Sequence, residues 1–237
     1  VASEAGDRNI PVEVAQLTDS LKKQFAPDRR VALLDVDYSF SDKNVMLRGV
    51  TTSAEAKNAL LKELARKGYA VMDCLELLPD VKGLEGKTCG IINVSVANMR
   101  VAPDFSSEMM TQSLMGMPVR VLQRDGWVRI QTPDNYIAWV HRVGVHPVTE
   151  EEMAAWNKAE KIVVTAHYGF VYSEPNQTSQ TVSDVVAGNR LKWEGSKGAF
   201  YKVTYPDGRR GYISKSIAMP EKKWRSGLQQ YAAGITL

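Results

Sequence analysis

Long apolar runs are missing from these 237 residues; no stretch approaches the roughly 20 consecutive apolar residues that a membrane-crossing helix needs. The opening VASEAGDRNI lacks the basic-then-apolar order of an export signal, so the chain reads as cytoplasmic or as a mature protein whose signal has been removed. Charge imbalance is missing too. Thirty basic and 27 acidic residues leave a net charge of +3, without the basic stripe that nucleic-acid binding requires, and no nucleic-acid partner is expected. Cysteine is scarce. Cys74 and Cys89 could close one disulfide, but their spacing is no metal motif, and two small buried hydrophobes are the plainer reading. The three histidines, His141, His146 and His167, show no partner pattern. Neither a metal nor a cofactor is expected. A nucleophilic thiol needs a base within hydrogen-bond reach, and neither cysteine has a histidine near it in sequence, so no catalytic residue is expected unless the fold brings one close.

What is present is an ordinary globular composition, 44% hydrophobic and 24% charged, with length enough for two or three domains of about 100 residues. It also contains an internal echo. RIQTPDNYIAWV (129–140) returns as KVTYPDGRRGYI (202–213), with Pro133 and Asp134 falling on Pro206 and Asp207 at a step of 73. Trp127 falls on Phe200, Ile130 on Val203 and Trp139 on Tyr212. Upstream the step is 72: Pro103 falls on Pro175, Gly116 on Gly188 and Val119 on Leu191. Turn residues and apolar positions that recur together mark two copies of one structural unit.

Ahead of the repeats, residues 12–25 carry Val14, Leu17, Leu21 and Phe25 at helical spacing, and Pro27 stops the run. Ala32, Leu34, Val36, Tyr38 and Phe40 then alternate with their neighbours, as in a half-buried strand. Ser41–Asn44 reads as a turn and Val45–Val50 as a second strand. Ser53 is a good N-cap for a helix whose face is Ala56, Ala59, Leu60 and Leu64, closed by Gly68. Tyr69–Leu78 reads as a third strand. The expectation is an α+β domain of order α-β-β-α-β over residues 12–80.

A turn-rich linker, Pro79–Lys87, leads to the first repeat, 88–148. Each repeat reads as five short strands broken by turn residues, a small barrel. Thr149-Glu-Glu-Glu152 is a capping-box pattern, predicting a helical linker over 149–161. The second repeat covers 162–220, and residues 221–237 form a helical tail whose apolar face is Trp224, Leu228 and Tyr231. Trp127 and Trp139 read as core or barrel-edge residues.

The stretch GVTTSAEAKNALLKELARKGY within the α-β-β-α-β order resembles a BON domain, a small envelope module linked to phospholipid or partner binding; its helix surface reads as a solvated face, since Glu55 and Glu63 offset the lysines. Asn98-Met99-Arg100, Pro103, Gly116, Val119, Gly126-Trp127, Arg129-Ile130, Asp134 and Trp139-Val140 follow the pattern of bacterial SH3-like domains. The second copy follows it with Pro175, Gly188, Phe200, Asp207-Gly208 and Gly211-Tyr212-Ile213, but has Tyr172 where the arginine is usual. In the first copy Asn135 and Ala138 stand where glycines are usual; Asn tolerates the positive φ of such a turn. The tandem pair with its tail is similar to the region ahead of the catalytic domain in NlpC-type cysteine peptidases, in particular the dipeptidyl-peptidase VI group of γ-D-glutamyl-L-diamino acid endopeptidases.

That resemblance implies a Cys-His domain following the second SH3-like domain, with its nucleophile in a D-C-S-G motif. The motif is absent here; the nearest strings are Asp73-Cys74-Leu75-Glu76 and Cys89-Gly90. It also implies that the first SH3-like domain supplies an acid and a tyrosine to recognise the free amine of a terminal L-Ala, by charge pairing and cation–π attraction. Glu108 and Tyr136 are the candidates and Asp104 the fallback acid. The implied partners are peptidoglycan stem peptides or their fragments and a downstream cysteine peptidase domain. The implied location is the bacterial envelope, in the periplasm, with any membrane association through a lipid anchor lost from ahead of Val1. Three readings stay open: the recognition portion of a stem-peptide endopeptidase, a non-enzymatic envelope protein that holds peptidoglycan peptides or a protein partner, and a phospholipid-associated scaffold.

Overall fold

The computed structural model describes residues 10–234, with side chains through Leu228. Residues 1–11 read from the sequence as a loose leader; most of them, and the Tyr231 side chain of the expected tail face, lie outside the described residues. The chain divides into two compact units: residues 1–85 together with Gln131–Ile137, and Gly86–Ile130 together with Ala138–Leu237.

In the first unit the elements are α1 (Val12–Phe25), β1 (Leu34–Ser41), β2 (Asn44–Thr51), α2 (Ala54–Arg66) and β3 (Ala70–Leu77). β1 and β2 form an antiparallel hairpin from Leu34 opposite Thr51 to Ser41 opposite Asn44. β3 runs parallel to β2, an arrangement that needs the crossover α2 provides between them. Ser53 Oγ accepts the Ala56 N–H at 3.0 Å, which sets the start of α2. Gly68, at φ +84°, ends it by turning the chain into a conformation other residues resist. The periodic faces meet in one core: Val14 and Leu21, Leu34 and Tyr38, Val45 and Leu47, Leu60 and Leu64, and Leu75. In the turn 131–137, Asn135 takes φ 69°. There the Thr132 N–H donates to the Tyr136 carbonyl at 3.0 Å, and the Ile137 N–H to the Arg30 carbonyl at 2.6 Å.

The second unit holds β4 (Cys89–Ile92), β5 (Val96–Arg100), β6 (Met109–Leu114), β7 (Pro118–Asp125), β8 (Trp127–Gln131), β9 (Ile137–His141), β10 (Val145–Val148) and α3 (Glu150–Lys158). It continues with β11 (Lys161–Val164), β12 (Tyr168–Tyr172), β13 (Thr181–Val186), β14 (Arg190–Lys197), β15 (Phe200–Thr204), β16 (Arg210–Ser214), β17 (Ala218–Pro220) and α4 (Glu221–Gly234). The strands make two seven-stranded sheets, β10-β4-β7-β8-β9-β5-β6 and β17-β11-β14-β15-β16-β12-β13. Strand for strand, the two follow the same path.

Each sheet thus has seven strands where the sequence predicts five. The stretch Gln112–Leu122 reads as one strand interrupted at Gly116-Met117-Pro118, and the interruption is a full break. Gly116, at φ +86°, divides it into β6 and β7. The short pairs β4–β10 and β11–β17 draw their partners from opposite ends of each segment, a pairing no local pattern shows. The linker helix also stops earlier than predicted. Its capping box is present, with the Thr149 hydroxyl and Glu152 carboxylate exchanging bonds with each other's backbone N–H. At the far end Ala159 leaves the helical region, and Lys161, 8% exposed, turns back from β11 to donate its ammonium to the Trp156 and Ala159 carbonyls.

The two sheets are joined firmly. Met115 packs among Ile162, Val171, Leu191, Val203 and Ile213 in the second sheet's core. The Arg190 N–H donates to the Met115 carbonyl at 2.9 Å, and a Cβ on Gly116 would lie 2.4 Å from the Arg190 carbonyl oxygen. Polar contacts add to this: Asn189 Nδ2 to the Ser95 carbonyl at 2.8 Å, Ser95 Oγ to Asp184 at 2.7 Å, and Asn93 Nδ2 to Asp207 at 2.9 Å.

Candidate functional site

The loop of residues 101–108 between β5 and β6 is short and pinned at both sides. Arg100 donates through Nη1 to the Ser107 carbonyl at 2.5 Å, and the Ala102 N–H donates to Ser107 Oγ at 2.9 Å. The Val101 N–H meets the Glu108 carbonyl at 3.1 Å. The loop therefore presents its remaining side chains in a fixed arrangement.

Phe105 is the most conspicuous of them, 66% exposed to solvent yet held by other rings. Its centroid lies 4.8 Å from Trp127 and 5.1 Å from His141, and Trp127 meets His141 edge-on at 5.3 Å. Trp127 and His141 start β8 and end β9, so two strands set the base of the cluster and the loop lays Phe105 on it. Val101 and Met109, at the two ends of the loop, are also about half exposed, at 54% and 50%.

Asp104 and Glu108 stand on the same loop, and both are exposed. Asp104 Oδ1 accepts the Ser106 N–H at 2.6 Å and the Ser106 hydroxyl at 2.7 Å. The Ser106 hydroxyl, with the backbone N–H beside it, holds the Asp104 carboxyl below the usual range, so it is ionised over all ordinary pH. Among the described residues neither carboxylate has an ion-pair partner. An aromatic face and carboxylates without an ion-pair partner, carried by one short loop, suit an ammonium group on an apolar body.

Tyr136, the third sequence candidate, belongs to the other compact unit. There its ring is half-buried and the Arg30 guanidinium lies 5.9 Å from its centroid, so part of the ring is already covered. Trp139 is 7% exposed, with the Arg129 guanidinium 4.7 Å from its ring centroid, a structural tryptophan as the sequence suggests. Trp127 is only half-buried and belongs to the cluster. Phe105 and His141 were missed by sequence reasoning. The only signal was an aromatic residue in an otherwise polar loop.

Both cysteines are free, Cys74 exposed and Cys89 half-buried. Burial, then the nearby Glu150 carboxylate, pushes the Cys89 thiol up, opposite to what a nucleophilic thiolate requires.

The pattern of the family described as "Bacterial dipeptidyl-peptidase Sh3 domain" matches residues 99–143. That of "Bacterial SH3 domain" matches residues 167–217. The chain therefore carries two bacterial SH3 domains. No curated protein matches it. Among solved structures it is similar to an NlpC/P60 family protein from Bacillus cereus, at 20% identity over 55% of this chain and 55% of that one, with a TM-score of 0.46. It is also similar to an NlpC/P60 endopeptidase from Photobacterium damselae subsp. piscicida, at 12% identity over 93% of this chain and 56% of that one, with a TM-score of 0.44. The chain spans about half the length of those two chains.

Proposed function

We propose that this chain is the substrate-recognition portion of a peptidoglycan stem-peptide endopeptidase, with the first SH3 domain taking the free N-terminal L-Ala end of the peptide. The observation that carries the reading is the Phe105–Trp127–His141 cluster with Asp104 and Glu108 on the same pinned loop, inside the segment that matches a dipeptidyl-peptidase SH3 family. The L-Ala methyl rests against the rings while its ammonium faces the carboxylates. Tyr136 is the aromatic candidate of the other compact unit, where the Arg30 guanidinium lies 5.9 Å from its ring centroid.

The chemistry of bond cleavage lies in a cysteine peptidase domain outside these residues, and the site of action is the bacterial envelope. Calorimetric titration with L-Ala-γ-D-Glu-diaminopimelate tests the recognition step. Binding that weakens about tenfold in Glu108→Ala supports it, as expected for one charge-assisted contact. Binding unchanged in both Glu108→Ala and Asp104→Ala would remove it.

A further inference from the structure

The second SH3 domain carries a different exposed face, which no feature of the first site uses. On β12 the side chain of Val171 is fully buried in the core, so Tyr168, Phe170 and Tyr172 point the other way. Their rings form a continuous ladder, with centroids 5.1 Å and 6.4 Å apart. The ladder continues sideways across the sheet, because Tyr172 lies opposite Tyr212 on β16 and Tyr212 lies opposite Lys202 on β15. Residues directly opposite one another on neighbouring strands share a face. Tyr168 is 58% exposed, Lys202 and Arg210 are exposed, and Phe170, Tyr172 and Tyr212 are half-buried.

Two further facts mark this face as available. Among the described residues the hydroxyls of Tyr168, Tyr172 and Tyr212 meet no protein hydrogen-bond partner, and Lys202 makes no ion pair. The counterpart row of the first domain differs: there Arg100 lies opposite Trp139, which is buried beneath Arg129. Tyr172 stands where the first domain has Arg100, which turns to the Ser107 carbonyl, and so adds a ring to the row. Asp184, opposite Phe170 on β13, shares the face and accepts the Ser95 hydroxyl, while Glu194 is paired with Lys192 at 2.9 Å. Among the described residues, with Lys202 and Arg210 exposed against the one unpaired Asp184 carboxylate, the charge left on the face is net positive.

We infer that this face binds a carboxylate-bearing oligosaccharide. Flat sugar rings present C–H faces to the aromatic ladder, sugar hydroxyls meet the free phenol edges, and Lys202 pairs with the carboxylate. Resting on the reading of the first domain, which takes peptides with a free amine, the occupant is the glycan strand left after those peptides are cut away, with its lactyl carboxylates freed.

The test uses the whole chain and peptide-free glycan strands, released from cell-wall material by an amidase and still bearing their lactyl carboxylates. Co-sedimentation or titration should show binding that falls roughly tenfold in Tyr172→Ala, the loss expected for one stacked ring. Lys202→Ala should weaken binding and flatten its salt dependence. Neutral chitotetraose should bind more weakly than the acidic strands. Because Tyr172 is half-buried, Tyr212→Phe, which removes only a hydroxyl, serves as the conservative check and should weaken binding by a smaller factor. Strands that fail to bind, that bind the Tyr172→Ala and Lys202→Ala variants as well as the original, or that polyglutamate displaces as readily as an acidic glycan does, would overturn the inference. Failure of the tripeptide to bind, with the strands still binding, would count against the first-domain reading alone.

Discussion

Phe105 packs against Trp127 with ring centroids 4.8 Å apart, although Phe105 itself is 66% exposed. An exposed aromatic held by a second ring from a strand is positioned without being buried. Phe105→Ala should therefore cost little stability, about 0.5–1.5 kcal/mol for the lost ring pair, while weakening tripeptide binding about tenfold. Urea unfolding beside calorimetry separates the two effects. A large stability loss with unchanged binding would make Phe105 a structural residue only.

Tyr205 gives the second sheet a pH limit. It is 2% exposed and its hydroxyl meets Ser183 at 2.7 Å. Burial pushes its ionisation up to about 12, against an ordinary value of 10. The folded state thus favours the neutral phenol. Its contribution is fully present below pH 10 and is lost as pH rises through 12, at most roughly 2–3 kcal/mol in all. Urea midpoints measured from pH 8 to 12 should fall over that window in the natural chain. In Tyr205→Phe that part of the fall should be absent.

Gly116 and Gly208 separate strain from collision. Both have positive φ, +86° and +87°, so alanine at either costs about 1–2 kcal/mol of backbone strain. A Cβ at Gly208 meets nothing within 4 Å, whereas at Gly116 it would strike the Arg190 carbonyl at 2.4 Å. Gly116→Ala should therefore destabilise more than Gly208→Ala, and equal losses in thermal unfolding would contradict the tight joint between the sheets.

The cysteines should differ in reactivity. Cys89 is half-buried and its thiol is pushed up, while Cys74 is exposed. With a disulfide reagent at pH 8, Cys74 should react first and Cys89 more slowly. The chain alone should release no L-Ala-γ-D-Glu from the tripeptide. Release of that product would place the catalytic machinery within these residues.

The sequence carried much of this architecture where physics is local. The three-and-four spacing of α1, the Ser53 cap, the capping box at Thr149 and the alternation that buries Val171, Val203 and Ile213 are all visible in short windows. The features it concealed depend on distant partners. β4 and β10 pair residues as far apart as Cys89 and Val148. Met115 leaves its own sheet to fill the core of the next. Lys161 is charged, yet it begins a buried strand because two carbonyls at the end of α3 receive its ammonium. The candidate site shows the same division. Asp104 and Glu108 were legible as loop carboxylates, but the rings beside them come together only when β8, β9 and the loop converge.

The indole N–H resonance of Trp127, assigned with a Trp127→Phe variant, reports on the recognition site directly. Addition of L-Ala-γ-D-Glu-diaminopimelate should shift it, and the same peptide acetylated at its amine should not. An indole signal that ignores the free peptide, or that responds equally to both, would contradict recognition of an ammonium group by the first domain.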